Sequence, residues 1–262
     1  MRRAPTKPPA VTLKSESELA LMRQAGRIVA EVLAGLSGRV APGLTTEELD
    51  RTAREMTAEM GAIPSFKGYG GFPASVCVSV NDEVVHGVPG PRVLREGDLV
   101  SIDFGAIWQG WQADAAVSVP CGRVSPAARR LMQVTREALH LGIAQAEPGK
   151  RVCDIAAAVQ GHVERNGYSV VRELVGHGIG REMHEPPQVP NFVEAASRMV
   201  LRPGMTLAIE PMVAAGSEQV QQDADGWTFR TRDGSLAAHF EHTVAITKDE
   251  PLVLTRVEGP KA

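Results

Sequence analysis

The chain has 262 residues, of which 43% are hydrophobic, 23% are charged and 4% are aromatic. This is the composition of a soluble globular protein, and the length fits one large domain or two modest ones. The 28 basic and 31 acidic residues give a formal charge of -3, with no long block of either sign. The basic surface of a nucleic-acid-binding protein is therefore not predicted, and we expect no nucleic acid substrate.

Signals for export or membrane insertion are not found. The start, MRRAPTKPPAV, leads into a charged helical pattern rather than an apolar signal-peptide core, and no run approaches the roughly 18 apolar residues of a membrane span. The cysteines, Cys77, Cys121 and Cys153, are odd in number and widely spaced, which favours reduced thiols over a disulfide framework. We expect a cytoplasmic protein without a membrane partner, in which residues 1–14 form a flexible N-terminal tail.

Apolar residues at helical spacing predict two pairs of helices, separated by strands. Residues 16–37 form an amphipathic pattern with Ser15 or Ser17 as the cap, and Thr45 begins a capping-box helix that ends at Gly61. A second pair is predicted near 125–145 and 152–165. Between the pairs, β-branched and alternating runs predict strands at 75–80, 99–107 and 115–120.

The second half of the chain repeats the order of the first. LMRQAGRIVAEVLAGL at 21 and APGLTTEEL at 41 resemble LMQVTREALHLGIAQA at 131 and EPGKRVCDI at 147, with an offset of about 106 to 110 positions. LREGDLVSIDFG at 94 also aligns without a gap on LRPGMTLAIEPM at 201, which matches Asp103 to Glu210. Two related halves would bring these two acids together between them.

Four acids lie in apolar, strand-like segments, namely Asp103, Asp114, Glu210 and Glu241. Ionised acids are rarely buried without a partner, and no Lys or Arg lies beside Asp103, Glu210 or Glu241 on the strands. A metal cation is the simplest partner. Asp103 and Asp114 are symmetric about the 108/109 bond, so a hairpin would set them directly opposite each other on one face, roughly 5 Å apart. In the alternative interpretation, one of the two is a turn or edge residue that faces water.

Three of the seven histidines, His86, His177 and His184, lie beside Gly or Pro, where irregular backbone lets imidazoles line a site. The others on regular patterns are assigned surface or satisfied core positions, namely His140, His162 and His239. Acids and imidazoles without a thiolate pattern describe a site for divalent Mn, Fe or Co, with Zn as an alternative. Two such ions would balance the charge of four carboxylates, and a pair of metal ions is the arrangement used by metallo-aminopeptidases and phosphatases. A phosphatase would place Arg or Lys beside the acids, which this sequence does not.

Five motifs together resemble those of the type I methionine aminopeptidases, namely NDEVVHGVPG, LVSIDFGAIWQGWQADAAVSV, GHGIGREMHEPPQV, GMTLAIEPM and HFEHTVAIT. They occur in the right order, and the match covers nearly the whole chain from about residue 15. The resemblance implies an α+β, pseudo-symmetric pita-bread fold, in which one domain over 15–262 has a curved antiparallel sheet covered by two helix pairs. It also implies a monomeric hydrolase that removes the initiator methionine when the next residue is small.

The resemblance implies two divalent metal ions per chain, Co, Mn, Fe or Zn, held by Asp103, Asp114, His177, Glu210 and Glu241. Asp114 and Glu241 would bind both ions, Asp103 would bind one, and His177 with Glu210 would bind the other. Metal coordination lowers the pKa of bound water towards neutrality. All five residue types are present in this chain.

The resemblance also implies three residues that would act directly on the substrate. Glu210 would shuttle the proton of the attacking water, and His184 would stabilise the developing oxyanion. His86 would contact the scissile amide nitrogen or help its departure. The methionine side chain would lie in a substrate pocket formed by Phe66, Tyr69, Phe72, Cys77, Met183 and Trp227. The alternative for Phe66, Phe72 and Met183 is packing in the core without substrate contact. Phe66 replaces a small residue or Cys of the common bacterial pattern, and Met183 replaces an aromatic residue.

The implied partners are N-terminal Met peptides and nascent polypeptides, which such an enzyme would meet at the ribosome exit region, although the sequence shows no docking element. An Xaa-Pro aminopeptidase or dipeptidase is the alternative with the same fold and ligands. Those enzymes usually carry a further N-terminal domain, whereas about fifteen residues precede the first helix here, so we expect methionine release. A non-catalytic binding protein of this fold would have lost its metal ligands, which this chain retains.

Overall fold

The computed structural model describes residues 11–194 and 198–256. Within these residues the helices are Glu16–Ser37 (α1), Thr46–Glu59 (α2), Pro126–Ile143 (α3) and Val152–Arg165 (α4). Ser15 and Thr45 close capping boxes with Glu18 and Glu48 at the starts of α1 and α2, because each hydroxyl accepts from a backbone N–H that has no partner inside the helix. The helices therefore begin where the sequence predicts, and none described is long and apolar enough to cross a membrane.

The strands in the described residues are short apart from one long hairpin. They are Ile63–Pro64 (β1), Cys77–Val80 (β2), Glu83–Val85 (β3), Leu99–Trp108 (β4), Trp111–Pro120 (β5), Ser169–Val170 (β6), Gly176–Gly178 (β7), Glu185–Val189 (β8), Thr206–Ile209 (β9), Met212–Ala214 (β10), Val220–Gln222 (β11), Phe229–Thr231 (β12), Ala237–His239 (β13), Glu241–Ala245 (β14) and Leu252–Val253 (β15). The strand predicted at 115–120 begins four residues earlier, at Trp111, and therefore includes Asp114.

Nine of these strands form one antiparallel sheet. Its order is β1-β4-β5-β14-β9-β7-β8, with β2 paired to β4 and β15 paired to β14. Two small sheets of three strands, β13-β10-β6 and β11-β12-β3, complete the described strands. Strands β9 and β14 thus lie at the centre of the main sheet, next to the hairpin formed by β4 and β5.

Each helix pair covers its own half of the main sheet. Helices α1 and α2 share a buried cluster with β2, β4 and β5 that includes Val29, Leu49 and Phe104. Helices α3 and α4 share another with β9 and β14 that includes Ile155 and Ile209. Burial of this apolar surface, at roughly 25 cal/mol per Å², is the main stabilisation of both halves. The predicted α+β class, an antiparallel sheet under two helix pairs, is confirmed.

The internal repeat is visible in both element positions and hydrogen bonds. Helices α1 and α3 begin at residues 16 and 126, and α2 and α4 begin at residues 46 and 152, which reproduces the predicted offsets. Gly43 donates its N–H to Leu94 O at 2.9 Å, and in the second half Gly149 donates to Leu201 O at 3.0 Å. The two halves are therefore built alike, as a pseudo-symmetric fold requires.

The described end of the predicted tail is anchored to the folded body. The Lys14 N–H donates to Gly204 O at 2.7 Å, the residue is 7% exposed, and its ammonium lies 2.6 Å from the Glu185 carboxylate. The flexible-tail prediction is therefore wrong for Lys14, because a buried ion pair holds it in place. Residues 1–10 of that segment lie outside the described residues.

Candidate active site

Five neighbouring strands of the main sheet each contribute one of the predicted metal ligands. Asp103 lies on β4, Asp114 on β5, Glu241 on β14, Glu210 directly after β9, and His177 on β7. Asp103 pairs with Ala116, which in turn pairs with Glu241. Because side chains alternate between faces with a period of two, this register places Asp103, Asp114 and Glu241 on one face of the sheet. All five ligands line one cavity.

The predicted register of the hairpin is wrong by two residues. Strands β4 and β5 are joined by Gln109 and Gly110, whose φ values of 49° and 77° are typical of a type I′ turn. That turn needs positive φ at both positions, so it forms where glycine is available. Asp103 therefore pairs with Ala116 rather than with Asp114. The two acids are diagonal neighbours on one face, and the alternative in which one faces water is excluded by their burial.

The four acids lie together without a Lys or Arg partner. Asp103, Asp114 and Glu241 are buried, and the side chain of Glu210 is 13% exposed. The described residues that line the cavity include no Lys or Arg. Burial raises the pKa of Asp114 to about 7, and burial together with the neighbouring acids raises the pKa values of Asp103, Glu210 and Glu241 well above their usual range. One oxygen each of Asp103, Asp114 and Glu241 is buried without a hydrogen-bond partner. Such a cluster is unfavourable when ionised unless a cation binds it.

His177 offers a ring nitrogen suited to a metal. Its Nδ1 lies 2.9 Å from the Gly178 carbonyl oxygen, and because a carbonyl can only accept, Nδ1 carries the hydrogen and Nε2 is bare. That Nε2 lies 3.6 Å from Glu210 Oε1. Burial, with a contribution from His184, lowers the pKa of His177 to about 3 and keeps the ring neutral.

The donor set therefore fits a divalent metal. Ligand atoms of Asp114, His177 and Glu241 lie within 4.8 Å of one another, and the three acids that have an oxygen without a hydrogen-bond partner line the same cavity. Carboxylates with a neutral imidazole are the ligands of Mn, Fe, Co and Zn. A hydrogen bond from the second ring nitrogen to a carbonyl, as in His177, is the usual support of a ligating histidine.

His86 and His184 reach the same cavity from irregular backbone, as predicted. His86 has a φ of 60°, an uncommon conformation for a residue with a side chain, and burial lowers its pKa to about 4. The His184 ring lies 4.2 Å from the His177 ring, edge to face. Its Nδ1 lies 2.6 Å from the Tyr69 hydroxyl.

An apolar wall completes the cavity. It contains all six predicted substrate-pocket residues, namely Phe66, Tyr69, Phe72, Cys77, Met183 and Trp227. The Phe72 and Trp227 rings meet edge to face at 5.2 Å. A Cβ atom at Gly105 would lie 2.9 Å from Met183 Cε and 3.1 Å from Phe66 Cε1. A glycine on β4 is therefore what makes room for this pair, and every predicted site residue lies at one place.

The sequence analysis missed several residues around the site. Four apolar residues also line the cavity, namely Val85, Leu174, Val175 and Met212. The assignment of His239 to the surface or a satisfied core is wrong, because the residue is 1% exposed and its Nε2 has no hydrogen-bond partner. That nitrogen lies 3.7 Å from Glu210 Oε2. The spacing of two residues from Glu241 was the available signal, since it favours the same face of an extended segment.

Comparison with known proteins agrees with this geometry. The model of metallopeptidase family M24 matches residues 20–248. Methionine aminopeptidase 1 of Bacillus subtilis is 50% identical over 247 residues, which cover 94% of this chain and 100% of the relative. The crystal structure of methionine aminopeptidase from Thermotoga maritima is 44% identical, with a TM-score of 0.93 over 95% of this chain and 100% of that one. Xaa-Pro dipeptidase from Bacillus anthracis is 22% identical with a TM-score of 0.76, and the match covers 94% of this chain and 62% of that one. At that identity the likeness shows a common fold alone.

Proposed function

Because the chain belongs to metallopeptidase family M24 and, within it, to the methionine aminopeptidases, we propose that it hydrolyses the amide bond after an N-terminal methionine. The observation that carries this proposal is the cluster of four acids, three of them buried, without a Lys or Arg partner and next to an apolar cavity wall. Buried acids of this kind need a cation. The apolar wall suits an uncharged side chain such as that of methionine.

Membership of a metallopeptidase family implies a divalent metal, and we propose two ions, Co, Mn, Fe or Zn, held by Asp103, Asp114, His177, Glu210 and Glu241. Asp114 and Glu241 would serve both ions, Asp103 would serve one, and His177 with Glu210 would serve the other. When bound, divalent metal supplies Lewis acidity for the substrate carbonyl and lowers the pKa of water. The ordered strands that carry the ligands hold them in place before the substrate arrives.

The residues of the chain then move the protons of the reaction. Glu210 accepts a proton from the attacking water and passes it to the leaving amide nitrogen. The water oxygen forms a bond to the carbonyl carbon, and the bond from that carbon to nitrogen breaks. His184 donates a hydrogen bond to the carbonyl oxygen as it becomes negative, and His86 contacts the scissile nitrogen. The products are free methionine and a peptide with a new amino terminus.

The pocket is proposed to select methionine by shape. The edge-to-face pair of Phe72 and Trp227 forms one wall, and Met183 with Phe66 forms another. An unbranched thioether fits irregular apolar space and makes favourable contacts with aromatic rings. The restriction to a small second residue is proposed from the family resemblance.

The substrates, the compartment and the oligomeric state are proposed on fewer observations than the reaction itself. N-terminal Met peptides and nascent polypeptides are the proposed substrates, in the cytoplasm, where the three cysteines, free in this structure, would stay reduced. Encounter with nascent chains at the ribosome exit region, a monomeric state, and one domain over 15–262 are proposed from the resemblance alone.

Peptide hydrolysis with defined metal content tests the proposal. The Mn(II)- or Co(II)-loaded chain should release methionine from a Met-Ala peptide and leave an Ala-Pro peptide intact. A chelator should remove the metal and abolish release, and added Mn(II) or Co(II) should restore it. Exclusive cleavage of the Ala-Pro peptide would instead identify an Xaa-Pro aminopeptidase, and full activity of the metal-free chain would exclude the mechanism.

Substitution of the proposed base separates chemistry from folding. Glu210→Gln should lower kcat by about 100-fold or more, because general acid–base catalysis contributes about 10² to 10⁴. Glu218→Gln is the matched control, since Glu218 lies in a half-exposed ion pair with Arg172. Equal activity of the two variants would remove Glu210 from the mechanism.

A further inference from the structure

The phenol of Tyr69 is held against His184 by a tight turn. Tyr69 begins the 3₁₀ turn Tyr69–Gly71, and its N–H donates to Phe66 O at 2.9 Å. Gly68 and Gly70 flank it with φ values of 85° and 56°, a left-handed conformation that glycine adopts without strain. The turn directs the hydroxyl to 2.6 Å from Nδ1 of His184, so Tyr69 does more than line the apolar wall.

The chemistry of the two groups sets the direction of this hydrogen bond. Partial burial, with a contribution from Glu182, raises the pKa of Tyr69 above its usual value, so the phenol keeps its proton at neutral pH. A phenol hydroxyl is a stronger donor than a neutral imidazole N–H, and a bare imidazole nitrogen is a stronger acceptor than a phenol oxygen. Tyr69 therefore donates, and Nδ1 of His184 accepts.

Because Nδ1 of His184 accepts a hydrogen bond, the ring hydrogen must lie on the other nitrogen, Nε2. A neutral imidazole carries one N–H, so a His184 ring that accepts at Nδ1 has its hydrogen on Nε2. His177 shows the opposite arrangement, because its Nδ1 donates to Gly178 O and its Nε2 is bare. Two rings with centroids 4.2 Å apart are thus held in opposite tautomers. A bare nitrogen suits a metal, and an N–H suits a developing oxyanion.

We infer that Tyr69 is a positioning residue that holds His184 as its Nε2–H tautomer, ready to donate to the carbonyl oxygen of the substrate. The catalytic consequence rests on the proposed function, whereas the tautomer itself does not. In the opposite tautomer, Nε2 would present a lone pair to a negative oxygen and repel it. Loss of the phenol hydroxyl also frees the imidazole ring of His184 to turn. Both the Nε2–H donor and its direction therefore depend on Tyr69.

Nitrogen NMR on the zinc-loaded full chain, labelled with ¹⁵N-histidine, tests the tautomer directly. The signals of His184 are assigned by their loss in His184→Gln. In the wild type, Nδ1 should show the shift of a hydrogen-bonded bare nitrogen and Nε2 that of a protonated one. In Tyr69→Phe, which keeps the ring and removes the hydroxyl, the two shifts should move towards each other as both tautomers become populated. Tyr168→Phe is the matched control and should leave them unchanged.

Kinetics on the same proteins test the consequence. Tyr69→Phe should lower kcat on a Met-Ala peptide by about tenfold, equivalent to about 1.4 kcal/mol, with KM changed less than twofold. A contact that only bounds the pocket would leave kcat unchanged, because the ring remains. Tyr168→Phe should retain wild-type values of both constants.

The outcomes separate this inference from the proposed function. A wild-type His184 that carries its hydrogen on Nδ1 would overturn the inference even if methionine is released. The inference would also be overturned if Tyr69→Phe kept the wild-type nitrogen shifts and the wild-type kcat. The predicted shifts in a chain that does not release methionine would support the tautomer while the proposed function fails. Changed shifts together with a tenfold lower kcat would support both.

Discussion

Replacement of Lys14 by Met should destabilise the fold through the loop that carries His184. The Lys14 ammonium donates to Glu185 Oε2 and to the Thr12 hydroxyl, each at 2.6 Å. The side chains of Lys14 and Glu185 are only 4% and 11% exposed. Glu185 Oε1 in turn accepts the N–H of Arg181 at 2.9 Å. The ion pair thus ties the N-terminal segment to the turn before β8.

The expected loss of stability follows from the Glu185 carboxylate, which stays buried without its ammonium partner in Lys14→Met. Removal of one partner from a buried ion pair costs about 3 to 5 kcal/mol, because the other charge remains buried. Glu185 keeps its hydrogen bonds from Thr12 and Arg181, so the lower end of that range applies. We expect a decrease of about 3 kcal/mol in the free energy of unfolding. Methionine keeps most of the length of the side chain, so little packing is lost.

Urea unfolding at pH 7 measures this change, and its pH dependence adds a second test. Burial raises the pKa of Glu185, but hydrogen bonds from Lys14 and Thr12 outweigh this, so the pKa lies below its usual value. A carboxyl with a lowered folded pKa stabilises the protein above the unfolded pKa and loses that effect as the pH falls through the folded pKa. The difference between wild type and Lys14→Met should therefore shrink below about pH 4.

A surface ion pair of the same chemistry is the control. Lys150 lies 2.8 Å from Glu147, with side chains 35% and 44% exposed, and such pairs contribute about 0 to 1 kcal/mol. Lys150→Met should therefore change stability far less than Lys14→Met. A loss below about 1 kcal/mol for Lys14→Met, or equal losses for both variants, would refute the argument from burial.

Two further predictions concern the site. In the metal-free protein, Asp114 should contribute more stability at pH 5 than at pH 7, because burial raises its folded pKa to about 7 and the folded chain takes up the proton first. Urea unfolding of the chelator-treated proteins should therefore show that the stability of wild type relative to Asp114→Asn increases as the pH falls from 7 to about 5, and a constant difference would contradict this. Met183→Phe should overpack the space around Gly105 and lose about 1 to 3 kcal/mol, most of which Phe66→Cys should recover; strict additivity in the double-mutant cycle would show that the pair is not coupled.

Much of the fold is predictable because its signals are local. Apolar spacing and the capping residues Ser15 and Thr45 place the starts of α1 and α2, since a helix is stabilised by contacts within a few residues. The repeat predicts that α3 and α4 follow the same order. The register predicted for β4 and β5 was wrong, because it depends on which two residues adopt positive φ, and Gln109 carries no strong preference for that conformation.

Some residues of the candidate site were likewise predictable from the sequence, and others were not. Asp103 and Glu241 are conspicuous in the sequence because a charged residue in an apolar strand needs a partner, and the family resemblance extends that observation to the histidines and the pocket. The unpartnered nitrogen of His239 could not be inferred with the same force. A histidine is common in cores and on surfaces alike, so its residue type alone does not indicate its surroundings.

The sequence by itself determined the helices, the strand-like segments that carry the four acids, the duplicated halves and the set of acids that requires a cation, because each follows from residue type and short-range spacing. Only the tertiary structure decided which side chains meet. Lys14 pairs with Glu185 across 171 positions, and Tyr69 reaches His184 across 115. Contacts between residues so far apart depend on how the two halves pack, and neither residue carries a local signal for the partner that it finds.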